Sequence, residues 1–221
     1  MSKTTPPELT PSTLVSFLKK LTVDASFTDR LKIAYRPYIC PFHDLLNGIG
    51  LGRSIFDFGC GSGQFCLLLA EYSQPTKLRG IEISESLIDN AKTMLAPYTD
   101  RVEVDFDVYD GETLPEEIAE YEFVTMIDVF HHLPIPLHAW FFKELYDKMS
   151  PGRTLLVKDI NGAHPFVLFN KLHDLIFGGE IGHEISPVAM RTLLKEAGFG
   201  DFRESKKTMF WYPHYTISCK K

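Results

Sequence analysis

The chain has 221 residues, of which 44% are hydrophobic and 24% charged, with a formal net charge of −6. That length suits one α/β domain, and the proportions are those of a chain with a packed core, which excludes a disordered polymer. An acidic balance with no dense Lys/Arg cluster lacks the surface that neutralises a nucleic-acid backbone, and no run of apolar residues is long enough to span a bilayer.

The four cysteines, Cys40, Cys60, Cys66 and Cys219, form no CxxC pair and have no histidines at zinc-ligand spacing, so no metal site is expected. Residues 1–11 are polar and proline-containing, without the apolar stretch of a secretion signal, and the expected compartment is the cytoplasm.

In chain order, residues 14–21 and 27–33 carry apolar positions at helical spacing, with Thr10, Ser12 and Asp24 available as caps. They predict a helical N-terminal extension over residues 1–50. From residue 54 onward, short β-rich runs alternate with helical stretches: strands over 54–58, 78–83, 101–107, 123–127 and 153–160, with helices over 64–72, 85–95 and 137–149. Such alternation predicts a mostly parallel, doubly wound sheet with crossover helices. Ser186 and Pro187 read as N-cap and first residue of a helix stopped by Gly198, and residues 202–204 and 209–218 as an antiparallel pair at the sheet edge. The expected whole is a single domain over 1–221.

Between the first strand and its helix lies Asp57-Phe58-Gly59-Cys60-Gly61-Ser62-Gly63-Gln64. Glycines there allow a tight turn and a close backbone approach to a ligand at the N-terminus of the next helix. A glycine-rich turn alone also suits a dinucleotide. The third glycine, however, comes one residue early for a nicotinamide fingerprint, giving GxGxG, and Asp57 precedes the loop, where it can meet an ammonium group or organise the loop. Glu82, at the end of the second strand, can accept from both ribose hydroxyls. Asp107 closes the third strand and can accept from an adenine amino group; Asp128 follows the fourth. Four acids at four consecutive strand ends converge on one crevice.

The runs IFDFGCGSGQFCLLLA, GIEIS, YEFVTMIDVFHHL and MSPGRTLLV, together with the Asp107 strand end, resemble class I S-adenosylmethionine-dependent methyltransferases, in particular the small-molecule branch of ubiquinone-type and phosphobase enzymes. The likeness extends over residues 35–200. It implies a Rossmann-like sheet and S-adenosyl-L-methionine as cofactor, with Gly59, Gly61 and Gly63 behind the methionine moiety, Glu82 on the ribose, Asp107 near the adenine, and Ile83 and Val108 on either side of the ring. One departure is Pro151-Gly152-Arg153, where many members carry a second glycine. After the fourth strand the chain lacks the Asn/Asp-Pro-Pro-Tyr/Phe element of enzymes that methylate exocyclic amines, and it lacks a cysteine nucleophile there.

Asp128, His132 and Leu133 form a D-x-x-x-H-L arrangement, so His132 is the candidate acid/base for an acceptor proton. The alternative for His131 and His132 is a helix cap or a backbone partner. Tyr35 and Tyr38 are open candidates beside the site. Residues 161–185 are longer than a connection requires: Phe169, Leu172, His173, Leu175 and Ile176 form a stripe opposite Asn170, Lys171 and Asp174, ended by Gly178-Gly179. This stripe either packs on the sheet or belongs to a lid over the acceptor pocket, and the aromatic run Phe210-Trp211-Tyr212 is a further candidate for pocket lining.

These features predict methyl transfer to a small apolar or aromatic acceptor, lipid-like or carrier-bound, with no nucleic-acid partner and no stable membrane insertion. A non-catalytic S-adenosylmethionine-binding partner module is the alternative, and a nicotinamide oxidoreductase a third reading.

Overall fold

The computed structural model describes residues 9–21, 35–177 and 182–221. The expected helix over 27–33, its cap Asp24 and the Gly178-Gly179 stop lie outside the described residues, as do the side chains of His173, Asp174 and Ile176.

Seven strands form one sheet in the order β3-β2-β1-β4-β5-β7-β6. They are β1 (Ser54–Phe58), β2 (Lys77–Glu82), β3 (Glu103–Val108), β4 (Phe123–Ile127), β5 (Thr154–Ile160), β6 (Gly200–Met209) and β7 (Tyr212–Lys220). The first five are parallel, and β7 runs antiparallel to both β5 and β6. This is the doubly wound sheet with an antiparallel C-terminal strand that the alternation of elements predicts. Parallel neighbours require crossovers, and the helices that supply them cover both faces.

One face packs against α1 (Pro11–Leu21), α2 (Phe42–Ile49), α3 (Gln64–Tyr72) and α4 (Glu85–Leu95). Leu14, Leu18, Leu45, Ile55, Leu68 and Ile88 are buried together there. The described helices of the predicted N-terminal extension, α1 and α2, are therefore a structural part of this layer. The other face holds α5 (His138–Lys148) and α7 (Pro187–Ala197), with Phe56, Met126, Phe142, Leu145, Met190 and Leu194 in its core. α7 starts and stops as its sequence dictates: Ser186 accepts from Ala189 N–H at 3.1 Å, and Gly198 ends it at φ 116°. A Cβ on Gly198 would lie 2.8 Å from the Tyr146 ring.

The expected C-terminal antiparallel pair is present, but its reversal lies elsewhere than the sequence suggests. β6 and β7 are long strands joined across Met209↔Tyr212, so the chain reverses at Phe210-Trp211, inside the stretch that reads as one strand. Phe210 has φ 55° there. Between β5 and α7, α6 (Val167–Phe177) is an added helix. Among the described residues, no helix is long and apolar enough to cross a membrane.

Candidate active site

The sheet order reverses at β1, between β2 and β4, and a crevice outside the carboxyl ends of the strands results. The chain leaves β1 through a turn in which Gly59, Gly61 and Gly63 all have positive φ, at 72°, 54° and 78°. Side-chain-bearing residues adopt such angles at a cost, which explains three glycines in five positions. Each glycine faces something different. A Cβ on Gly59 would meet a methyl of Val129 at 2.3 Å, and one on Gly63 the methyl of Ala91 at 2.9 Å, whereas one on Gly61 would meet nothing within 4 Å among the described residues. Gly59 and Gly63 thus permit packing inside the protein, while Gly61 keeps clear the outward side of the turn.

Glu82, at the end of β2, reaches across to this turn. Its carboxylate accepts from Gly61 N–H at 3.2 Å and from Ile83 N–H and Ser84 N–H at 2.9 and 3.2 Å. Glu82 is therefore a brace for the loop as well as an acid at the edge. Beyond it, Ile83 is 70% exposed, and Val108, at the end of the neighbouring strand, is 51% exposed. Two bare aliphatic side chains beside a polar loop are the unusual feature of this edge.

Asp57 lies beneath the loop. Its buried carboxylate accepts from the Thr125 hydroxyl at 2.6 Å and the Cys66 thiol at 3.3 Å, tying β1 to β4 and to α3. Burial pushes its pKa up to about 6, against the pull of those two donors. Of the two roles open to Asp57, these contacts are those of a residue that organises the loop.

Asp107 is held at 2.7 Å by Arg79, which also reaches Asp105 at 3.3 Å, so its carboxylate lies along the sheet face in an ion-pair cluster. Sequence reasoning passed over Asp110. Tyr109 N–H still donates to Glu82 O at 2.9 Å, so the strand edge continues to Tyr109 and Asp110 is the first residue past it. One Asp110 oxygen accepts from Glu112 and Thr113 N–H at 2.8 and 2.9 Å, and those bonds lower its pKa. The turn signal Asp110-Gly111 was available in the sequence.

Asp128, past β4, has φ 58°. It pairs with the buried ammonium of Lys158 and, at 3.4 Å, with Arg36. Burial alone would raise its pKa; the Lys158 charge, then Arg36, hold it well below the usual carboxylate range. His214, in the same cluster, donates through Nε2 to Ile39 O at 2.5 Å, so the proton is on that nitrogen, because a carbonyl only accepts. Burial, then the Lys158 charge, lower its pKa to about 3, so it is neutral. Through Arg36 and Ile39 the N-terminal segment is fastened to the ends of β4, β5 and β7.

The two histidines after β4 divide. His131 is buried with Nδ1 2.7 Å from Asp159, and Asp159 also accepts from His131 N–H at 3.2 Å and Ile160 N–H at 2.7 Å. This pair fastens the loop after β4 to the end of β5. His132 is exposed, its ring 4.2 Å from that of His131. Tyr35 and Tyr38 are half-exposed, and Tyr35 stacks on Phe210 at 6.5 Å.

The sequence profile of the methyltransferase-domain family matches residues 32–202. The chain belongs to the class I S-adenosylmethionine-dependent methyltransferases. Among solved structures, this methyltransferase chain shares its fold with magnesium protoporphyrin IX methyltransferase from Synechocystis PCC 6803 with bound SAH (TM-score 0.67, 18% identity, 96% of this chain and 95% of that one). It also shares it with the Haloferax volcanii putative methyltransferase in complex with its Trm112 activator (TM-score 0.69, 15% identity, 92% and 96%). A curated relative, 27-O-demethylrifamycin SV methyltransferase of Amycolatopsis mediterranei, is 28% identical over 110 residues, 49% of this chain and 39% of the relative. Carboxy-S-adenosyl-L-methionine synthase of Campylobacter curvus is 26% identical over 98 residues, 44% of this chain and 40% of the relative. The match thus spans about two-fifths of the length of each curated relative.

Proposed function

We propose that the chain transfers a methyl group from S-adenosylmethionine to a small apolar or aromatic acceptor in the cytoplasm. The observation that carries this reading is the edge at Gly61: an outward side on which a Cβ would meet none of the described residues within 4 Å, next to Glu82 and flanked by the exposed Ile83 and Val108. The glycine turn would hold the methionine moiety. Glu82 has a lone pair on Oε2 beyond those engaged by the three N–H groups to accept from a ribose hydroxyl, since a carboxylate offers about four acceptor sites. Ile83 and Val108 would cover the two faces of the adenine. Asp107 is committed to Arg79, and Asp110 is the better candidate for the adenine amino group.

The bound cofactor supplies a methyl group on a sulfonium, already an excellent leaving group. The protein's share is alignment of the acceptor and exclusion of water. His131 and Asp159 fix the loop that carries His132, and His132 would take the proton of a hydroxyl acceptor at the edge. Asp128, held by Lys158 and Arg36, keeps the N-terminal segment against that edge. Calorimetric titration with S-adenosylmethionine, followed by detection of S-adenosylhomocysteine in the presence of phenolic, quinone-like and acyl acceptors, tests the reading. Binding without turnover across that set would favour the non-catalytic partner module, and efficient methylation of tRNA or a basic peptide would overturn the choice of acceptor.

A further inference from the structure

The helix α6 is inverted with respect to the usual distribution of polar and apolar residues. Asn170 and Lys171 turn inward to Glu184, at 2.9 and 2.6 Å, and the Glu184 side chain is fully buried. Leu168, Leu172 and Leu175, at i, i+4 and i+7, turn outward; Leu168 is 69% and Leu172 55% exposed. Leu172 and Leu175 belong to the stripe read from the sequence, and both stand at the surface rather than packed on the sheet. A helix of a water-exposed protein normally places such a stripe against the core, so a row of bare leucines marks a surface that meets something apolar.

A second element extends this surface. Phe169 lies 6.0 Å from Trp211, ring to ring, and so joins α6 to the β6–β7 turn. At that turn Phe210 is 61% exposed and adopts φ 55°, a conformation unfavourable for an aromatic residue, although a glycine or asparagine would make the same reversal without strain. Strain of this kind persists where the side chain is needed. Lys206 and Lys207 lie on β6, shortly before the turn. Lys207 pairs with Asp44 at 2.7 Å, and Lys206 has no ion-pair partner among the described residues. A chain of net charge −6 thus presents cationic side chains beside this apolar surface.

We infer that α6 and the β6–β7 turn form a peripheral docking face for a lipid bilayer bearing anionic headgroups. Leucines and Phe210 would enter the acyl boundary, Trp211 would sit at headgroup depth, and Lys206 and Lys207 would meet lipid phosphates. A second copy of the chain fits less well, because an isologous contact through this face brings the lysine pairs of two copies together. Ile160 pairs with His214, so the start of β7 and the turn before it lie at the same sheet edge as the glycine loop and His132. Docking by this face turns the candidate active site toward the membrane, from which an amphiphilic acceptor would reach it.

Vesicle flotation tests the inference independently of methyl transfer, since it requires neither cofactor nor turnover. The full chain is expected to float with phosphatidylcholine vesicles containing phosphatidylglycerol, more weakly with phosphatidylcholine alone, and less at high salt. Leu168→Ser with Leu172→Ser, and separately Trp211→Ser, should each lower partitioning about tenfold or more. Lys206→Glu with Lys207→Glu should abolish the preference for anionic vesicles. All these side chains are at the surface, and circular dichroism checks that the variants stay folded. No flotation of the native chain, or flotation unchanged by the variants, overturns the inference. So does a concentration-dependent dimer, seen by light scattering, that the same variants dissolve while no vesicle binding occurs.

Discussion

Replacing Glu82 by alanine tests the candidate cofactor site at its most constrained point. The carboxylate accepts three backbone N–H groups, of which only that of Gly61 comes from across the crevice. The Ile83 and Ser84 donors are local and can turn to water when the acceptor is gone. The side chain is half-buried, so the loss of folding stability should stay near the low end for charged hydrogen bonds, about 1–2 kcal/mol. Binding should suffer more. Loss of the ribose acceptor removes charge-assisted bonds of about 1.5–3 kcal/mol, which is about 10- to 150-fold in Kd, and the Gly61 turn loses the brace that orders it before the ligand arrives. Glu82→Gln is the informative companion. An amide keeps one acceptor oxygen, but its NH2 cannot accept, so it leaves either Gly61 or the Ile83 and Ser84 pair without a partner. Calorimetry with S-adenosylhomocysteine, which cannot react, measures the affinity, and urea denaturation of the same preparations measures stability. An alanine variant that is folded and binds within about twofold of the native chain would refute the placing of the ribose on Glu82.

Gly61→Val should retain the fold, at about 1–2 kcal/mol for the left-handed backbone, and lose S-adenosylmethionine binding; Gly59→Val, driven against Val129, should instead lower the urea midpoint severely. Calorimetry and denaturation on both variants separate a ligand-facing glycine from a packing one. His132→Ala should lower kcat on a hydroxyl acceptor by about 10²-fold with cofactor affinity intact, whereas Asp159→Asn should act mainly on stability, because it weakens the buried His131 pair. A pH-independent kcat unchanged by His132→Ala would end its role as base. Asp57 titrates near 6 when folded and near the ordinary carboxyl value when unfolded, so the folded state holds its proton longer. The stability this confers is complete below about pH 4, is lost as pH rises to about 6 and is constant above that, a difference on the order of 3 kcal/mol. Asp57→Asn should flatten that decline in urea midpoints taken from about pH 4 to about pH 7, and an unchanged slope would contradict the burial argument.

The parallel sheet was legible because its signals are local. Each buried strand is a short apolar run, each helix carries its own period, and Ser186, Pro187 and Gly198 mark the limits of α7 by capping chemistry that requires no knowledge of the rest of the fold. The antiparallel pair at the C-terminal edge was legible but the place of its reversal was not, because Phe210-Trp211 offers no turn residue and the nearby breaker, Pro213, lies past it. For α6 the helical period is readable in the sequence and the direction of its apolar face is not. A sequence shows that leucines share a face of a helix, but not whether that face or the opposite one turns toward the protein, and here the decisive partner is Glu184, beyond the helix itself.

The site divides along the same line. Glycine spacing and strand-end acids are properties of single strand-to-helix turns, so the turn at Gly59, Gly61 and Gly63 and the acid Glu82 are readable from the sequence as features of the edge. What each acid does depends on which cation reaches it, and that is set by neighbouring strands. Asp107 reads as an edge acid until Arg79, 28 positions away in sequence, is seen to hold it on the sheet face. Asp128 and Lys158 are 30 positions apart and become an ion pair because β4 and β5 are neighbours in register; Lys158 in the sequence is only a charge in an apolar strand. A lysine in the middle of a central strand should itself have been the signal, since such a charge is buried only with a counter-charge, and the nearest unclaimed acid at the edge was Asp128. The same reasoning extends to His131. A buried histidine next to an exposed one is told apart by the carboxylate that meets it, and Asp159, at the end of the adjacent strand, was the residue in reach. The pairs that fasten the loop of His132 and the N-terminal segment to the sheet are therefore recoverable from a sequence once strand order is known, by asking of every buried charge which neighbouring strand end carries its opposite.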